Sequence, residues 1–138
     1  MFKNFTNSDL TKGPTDFGIL LLRLFSGIFI MTHGVPKLMK IVKGDMGFGD
    51  PIGIGSELSL VLVAFAEGIC GFLVILGLGT RYAALVLIIA MAVAGFIHHA
   101  ADPFGTKEKA FLFLLIFVVL LVTGGGKYSL DQKVFNKR

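Results

Sequence analysis

Charged side chains are scarce in this chain of 138 residues. Only 16% of the residues are Asp, Glu, Lys or Arg, 54% are hydrophobic, and the mean hydropathy of +0.82 lies outside the range of soluble domains. A single cysteine, Cys70, excludes an internal disulfide and a dithiol redox pair. The sequence also lacks a phosphate-binding glycine loop, a nucleophile elbow and a haem-attachment motif. Any redox centre therefore has to be a diffusible molecule or belong to a partner protein.

Apolar stretches make up most of the chain. Each is close to the roughly 20 residues that a helix needs to cross a bilayer. Runs in the third and fourth stretches are short enough for buried core helices, but four stretches in succession favour the membrane. The sequence predicts an all-α integral membrane protein, a four-helix bundle with antiparallel spans. A cytoplasmic segment 1–14 precedes the membrane domain 15–132, a cytoplasmic tail 133–138 follows it, and the spans are about 15–35, 58–78, 81–101 and 109–125.

The positions of Lys and Arg predict the orientation, because cytoplasmic loops are enriched in these residues. With both termini on one side, that side holds seven of them and the opposite side five. This difference favours an inner (cytoplasmic) membrane protein with both termini inside, in which the net charge of +4 meets lipid headgroups rather than nucleic acid. The seven are Lys3, Lys12, Arg81, Lys127, Lys133, Lys137 and Arg138, and the five are Lys37, Lys40, Lys43, Lys107 and Lys109.

Two charged residues interrupt the apolar stretches, Arg23 in the first and Glu67 in the second. An unpaired charge in a membrane helix costs about 3 kcal/mol on insertion scales, so such residues usually face the bundle interior and find partners there. Helical periodicity places both residues on faces with small side chains, where membrane helices pack closely. We expect a buried ion pair between Arg23 and Glu67. A role in proton transfer or ligand contact is the alternative.

A second polar group should gather at the outer end of the bundle. His33 and Lys37 follow the buried arginine on one face of the first helix. His98 lies near the end of the third span, and Glu108 lies at the start of the fourth. Imidazole exchanges protons near neutral pH and Lys is a donor, so these side chains suit hydrogen bonds to a quinone and transfer of its protons. The simpler interpretation is a set of helix-end residues that reach for the membrane interface.

Two further expectations concern the histidines. His33, His98 and Glu108 are of the right types to bind a metal ion, but their spacing is diffuse and no HxxxH motif is present, so no metal site is assigned. His99 follows His98 directly and points about 100° away on a regular helix. We therefore expect His99 to be dispensable for any site that includes His98.

The polar and small residues of this chain, taken in sequence order, resemble the pattern of the DoxX family of small four-helix membrane proteins. The matching elements are RLFSGIFIMTHGVPKL at 23–38, AEGICGFLVILGLGTRYAAL at 66–85, the stretch from Met91 to His98, and GGGKYSLDQ at 124–132. Some relatives are small subunits of thiosulfate:quinone oxidoreductases or partners in membrane-associated oxidoreductase assemblies. The chain has no feature that ties it to the thiosulfate branch, and the loop 43–57 is outside the recognisable pattern.

The resemblance implies a membrane subunit that supports quinone-linked oxidoreduction, with a soluble or peripheral oxidoreductase as partner. Quinone is the expected ligand, no covalently bound cofactor is expected, and no catalytic residue is assigned. Two alternatives stay open. One is a carrier or channel for small solutes whose path passes Arg23 and Glu67, and the other is a structural anchor without chemistry. The sequence leaves the substrate and the oligomeric state open, and it is compatible with a homo-oligomer.

Overall fold

Helices make up most of residues 12–135, the part of the chain that this computed structural model describes. No strand occurs in that range, so the all-α prediction is confirmed. Most of the predicted segment 1–14 and half of the tail 133–138 lie outside the described residues. The helices are α1 (Lys12–Val42), α2 (Ser56–Leu76), α3 (Thr80–His98), α4 (Phe104–Thr123) and α5 (Leu130–Phe135).

Helix α1 is longer than its predicted span. The span was expected to stop at residue 35, before Pro36, whereas α1 continues through this proline to Val42. Proline removes one backbone donor from a helix interior. The turn that follows Pro36 is nevertheless held in place, because Leu38 packs directly over Gly68 of α2.

The connection between α2 and α3 is a short turn built on two glycines. Gly77 and Gly79 have φ angles of 70° and 59°, a left-handed conformation that glycine adopts without steric cost. This turn lets α2 and α3 follow one another closely in space. At the other end of α3, residues 99–103 lead into α4, which begins after Pro103.

The outer surface of the bundle is apolar. Within residues 12–135, α1, α2 and α3 are long and apolar enough to cross a membrane. Large side chains such as Phe25 and Phe96, which are 55% and 65% exposed, cover the outside of the helices. An exposed apolar surface of this extent is typical of a membrane protein. Helix α4 has 20 residues, but charged side chains in its first turns leave a shorter apolar run, Ala110–Val122.

Glycines allow α1 and α2 to pack in close contact. Gly27 lies against Gly71 and Ile75, and Gly34 lies against the backbone of Gly68. The residue numbers rise along α1 while they fall along α2, so the two helices run in opposite directions at this contact. Small residues at the interface let membrane helices approach in this way.

Two polar regions lie at different heights along this helix contact. The region that we call the arginine end includes Arg23 and the glycines packed near it, Gly77 and Gly125. The region that we call the histidine end includes His33, Lys37, Glu67 and His98. Fully buried apolar side chains fill the interior of the bundle, among them Ile30, Val74, Leu87, Phe117 and Leu120.

The close contact at Gly34 gives the first testable prediction. A methyl group at this position would overlap backbone atoms of Glu67 and Gly68, so Gly34→Ala should destabilise the protein by about 1–3 kcal/mol. Gly18→Ala is the matched control, since nothing lies within 4 Å of the added methyl group. This control should gain up to about 1 kcal/mol from helix propensity. Thermal unfolding in mild detergent measures both variants, and equal stabilities would contradict the close contact.

Candidate functional site

Arg23 is only 2% exposed, and its hydrogen-bond partners are backbone carbonyls. Its Nε donates to the oxygen of Val74 at 2.9 Å, and its Nη1 donates to that of Gly125 at 2.6 Å. Its Nη2 lies 3.1 Å from the oxygen of Ile75 and 3.4 Å from that of Tyr128. The last carbonyls of a helix have no donor within the helix. The guanidinium therefore satisfies the end of α2 and ties it to the segment that follows α4.

The predicted ion pair between Arg23 and Glu67 is wrong. The guanidinium of Arg23 packs against Gly77 at the end of α2, whereas the backbone of Glu67 packs against Gly34 of α1. Along α1, Arg23 and Gly34 are separated by about 16 Å at 1.5 Å per residue. Helical periodicity predicted that both charged residues lie on buried faces, and both are buried in the structure. Periodicity carries no information on the axial register between two helices, and here the glycine contacts set that register.

The partner of Glu67 is Lys37. Its Nζ donates directly to Oε2 of Glu67, and the two side chains are 20% and 8% exposed. Lys37 lies about one turn beyond Gly34, so the close approach of α1 and α2 brings the ammonium over the carboxylate. Two opposite charges held in contact reduce the cost of removing each from water. The structure thus joins Glu67 to the group of polar residues that was predicted for the outer end.

A cavity of about 640 Å³ lies beside this ion pair, among α1, α2, α3, α4 and the loop 43–55. Most of its wall is apolar. Sites for small molecules typically have volumes of about 300–1,000 Å³ and combine apolar walls with a few polar groups. The polar residues on the wall are His33, Lys37, Ser59, Glu67, His98, His99, Thr106 and Lys109.

Two π-helical turns shape the wall of this cavity. Phe65–Cys70 interrupts α2, and Val93–His98 forms the last part of α3. The first supplies Glu67 and the second supplies His98. A π-helical turn departs from the α-helical repeat, and such turns are frequent at functional sites. Side chains in and beyond these turns therefore point in directions that a period of 100° per residue does not predict.

The structure brings three of the four predicted pocket residues together on the cavity wall, namely His33, Lys37 and His98. Glu108 does not line the cavity and is exposed. Helix α4 turns Thr106 and Lys109 toward the cavity. These two positions are three residues apart and share one face of the helix, so Glu108 between them faces elsewhere. The expectation that Glu108 belongs to the pocket is wrong for this reason.

His99 lines the cavity as well, contrary to the expectation that it points to another face. It lies at the C-cap of α3 with φ −100° and ψ 19°, so its side chain does not follow helical geometry. Its ring packs edge-on against that of His98, with 4.6 Å between the centroids. Its Nδ1 lies 2.7 Å from Oδ2 of Asp102, which makes a histidine–carboxylate pair. In the sequence, this pair is indicated by Asp102, an acidic residue three positions after His99.

The loop 43–55 covers the cavity at the histidine end. Phe48 contributes to the wall, and Gly49 lies beside the ring of His98. The carboxylate of Asp50 accepts hydrogen bonds from the backbone N–H groups of Ile54 and Gly55, at 2.9 and 3.0 Å. These bonds hold the end of the loop close to the start of α2.

The start of this loop has its own anchor at Asp45. A hydrogen bond from the backbone N–H of Gly47 lowers the pKa of this carboxyl group, and the nearby ammonium of Lys40 lowers the pKa further. The Lys40 Nζ lies 3.3 Å from Oδ2 of Asp45. These contacts stabilise the ionised, solvent-exposed carboxylate of Asp45 and so hold the start of the loop close to the end of α1.

A metal centre built from His33, His98 and Glu108 is not supported by this geometry. Glu108 faces away from the two histidines. Across residues 12–135, no three His, Cys, Asp or Glu side chains are arranged to hold a metal ion. The polar side chains on the cavity wall can form hydrogen bonds with a ligand.

Comparisons with known proteins agree with the sequence pattern. The family model for DoxX matches residues 18–100, which include Arg23, the Lys37–Glu67 pair and the histidines of the cavity. A protein of Bacillus subtilis (strain 168) named "Putative oxidoreductase CatD" is 34% identical over 121 residues, which cover 87% of this chain and 89% of that protein. No solved structure matches the chain.

Lys37 and Glu67 should be energetically coupled. Lys37→Met and Glu67→Gln each leave one polar partner buried without its counterpart, so each should lower the free energy of unfolding by about 3 kcal/mol. The double variant should lose much less than the sum. The control cycle combines Arg23→Lys with Glu67→Gln and should be additive within about 0.5 kcal/mol. Unfolding in mixed micelles measures both cycles. Additive losses for Lys37 and Glu67 would contradict the pairing.

Proposed function

Since the chain belongs to the DoxX family, we propose that it is a membrane subunit that binds a quinone in the cavity at the histidine end and supports quinone-linked oxidoreduction. The observation that carries the proposal is the cavity itself, a mostly apolar space of about 640 Å³ whose wall includes three histidines and the Lys37–Glu67 pair. A quinone headgroup has apolar faces and two carbonyl acceptors on its rim. Apolar walls and N–H donors are the complementary features.

In the proposed reaction, the quinone takes up two electrons and two protons and leaves as the quinol. The electrons come from the redox centre of a soluble or peripheral oxidoreductase, since the sequence lacks the motifs of a redox centre. His33 and His98 donate hydrogen bonds to the quinone oxygens and exchange protons with them. His99 passes protons from solvent, because its partner Asp102 is exposed. The ammonium of Lys37 stabilises negative charge that develops on the quinone. The printed name of the Bacillus subtilis relative supports an oxidoreductase assignment.

The packing at the arginine end favours this proposal over a carrier or channel. A solute path would have to pass Arg23 as well as Glu67. Arg23 is fully engaged with backbone carbonyls, and Gly77 and Gly125 both pack tightly against Ser129 beside it. The cavity, in contrast, is lined by polar groups that a structural anchor does not need. Burying an ion pair without a function is costly in a membrane.

We also propose that the chain is a four-span inner-membrane protein with the histidine end on the outer side. Helix α4 then begins at the outer interface, where its first two turns carry Lys107, Glu108 and Lys109. The whole of α4, 20 residues and about 30 Å long, crosses the bilayer toward the cytoplasm, with the apolar run Ala110–Val122 in the hydrocarbon region. The excess of Lys and Arg on the side of the termini supports this orientation.

Cysteine labelling tests this topology. Lys43 and Lys127 are both exposed and lie after α1 and α4, respectively. In a Cys70→Ser background, a membrane-impermeant maleimide added to spheroplasts should label Lys43→Cys but reach Lys127→Cys only after permeabilisation. The reverse pattern would overturn the orientation. Labelling of both positions from outside would show that α4 does not cross the membrane.

Quinone binding should depend on three histidines. His33→Ala, His98→Ala and His99→Ala should each weaken binding about fivefold, because a hydrogen bond contributes about 1 kcal/mol. Glu108→Ala is the control and should bind like the parent, since this side chain is outside the cavity. Titration calorimetry in nanodiscs, with tailless benzoquinone and naphthoquinone as probes, gives the affinities, and circular dichroism checks the fold.

The outcomes separate the alternatives. Parental affinity in all three histidine variants would reject the cavity as a quinone site. Solute flux into liposomes that is lost on mutation of the cavity would favour a carrier. A partner complex that survives replacement of every polar cavity residue would favour an anchor without chemistry.

A further inference from the structure

A second concave surface lies between α1 and α4. It encloses about 500 Å³, and we call it the lateral groove. On α1 it extends from Gly18 to Phe29, about 16 Å along the helix axis. On α4 it extends from Lys109 to Ile116. Apart from Ser26 and Lys109, its lining residues are apolar or glycine. The surface thus presents a long hydrocarbon-like wall to the bilayer.

The lateral groove and the cavity at the histidine end share a wall. Lys109 and Phe113, which are about one turn apart on α4, line both spaces. The ring of Phe113 is stacked on that of Phe117, 5.9 Å away between centroids, and so belongs to the packed core. One turn of α4 therefore separates the cavity, with its histidines and ion pair, from an almost entirely apolar groove that faces lipid.

We infer that the lateral groove binds the isoprenoid chain of a quinone whose headgroup occupies the cavity, and that the molecule enters from the bilayer between α1 and α4. This inference rests on the proposed function of the cavity. It adds a second binding site, specific for an apolar chain, and a route that passes Lys109 and Phe113.

The shared wall is what favours this occupant. A molecule with oxygen acceptors on its ring and a long apolar chain needs a space with hydrogen-bonding groups next to an almost entirely apolar one, and Lys109 and Phe113 border two such spaces. A second copy of the chain could cover the lateral groove without reaching the cavity. A lipid acyl chain could fill the groove without any relation to the ligand in the cavity. Both are distinguishable outcomes of the tests below.

Blocking the lateral groove should reduce the affinity for chain-bearing quinones. Leu112 lines the groove and is 56% exposed, whereas Leu115 on the same helix is 59% exposed and outside the groove. Leu112→Trp should lower the ratio of long-chain to tailless affinity about tenfold, because the indole occupies space that the chain needs. Leu115→Trp is the matched control and should leave this ratio unchanged. The affinities are measured in nanodiscs with menadione and a long-chain menaquinone.

Photolabelling locates the chain directly. A menaquinone with a diazirine on its isoprenoid chain should label peptides from 18–29 and 109–116, and excess menadione should suppress this labelling. Labelling by a diazirine phospholipid that menadione does not displace, with no displaceable signal from the quinone, would assign the groove to bulk lipid. Cross-linked dimers through the same peptides would assign it to a second copy. Either result overturns the inference.

The two proposals fail in different ways. If menadione does not bind the parent protein, the proposed function fails and this inference fails with it. If menadione binds but Leu112→Trp and Leu115→Trp have the same affinity ratio, the cavity remains a quinone site and only the lateral groove loses its role.

Discussion

The guanidinium of Arg23 donates to carbonyls that are 51 and 102 residues away in sequence. It thereby joins the end of α2 to the segment that follows α4. Asp131 adds the complementary contact, because its carboxylate accepts hydrogen bonds from the backbone N–H groups of Gly79 and Thr80, at 2.7 and 2.9 Å, and so caps the start of α3. Unpaired backbone groups and unpaired charges are both costly in a bilayer. Here the side chains of Arg23 and Asp131 pair with unpaired backbone groups. The end of α2, the start of α3 and the segment after α4 are therefore fixed relative to one another.

With the arginine end fixed, the histidine end can carry features that would otherwise weaken a helical bundle. These features are two π-helical turns, a cavity and a buried ion pair. The contacts of Gly34 with α2 belong to the histidine end, where they hold α1 against Glu67 one turn before Lys37 pairs with its carboxylate. The two charges of the ion pair at the cavity edge balance each other, so the pair leaves no net charge on this part of the cavity wall.

The family was predicted from the resemblance of the sequence motifs. Hydropathy and helical periodicity were sufficient to predict the helical class and the burial of Arg23 and Glu67. The same reasoning brought His33, Lys37 and His98 to one end of the bundle. It could not predict the partners of the two charged residues, since partners depend on axial register. It also misplaced Glu108 and His99. Glu108 sits on the wrong face of α4, and His99 follows a π-helical turn at the end of α3, where a constant rotation per residue does not hold.

The π-helical turn Phe65–Cys70 divides α2 into two parts with separate constraints. The part after it is fixed by the arginine end, and the part before it, Ser56–Ala64, borders the cavity. An extra residue in a helix rotates everything before it by about 100° relative to everything after it. The π-helical turn is therefore the point at which the relative rotation of the two segments of α2 can change. Insertion or deletion of one residue at this point would therefore change the shape of the cavity, while the packing of the opposite end of the bundle would remain the same.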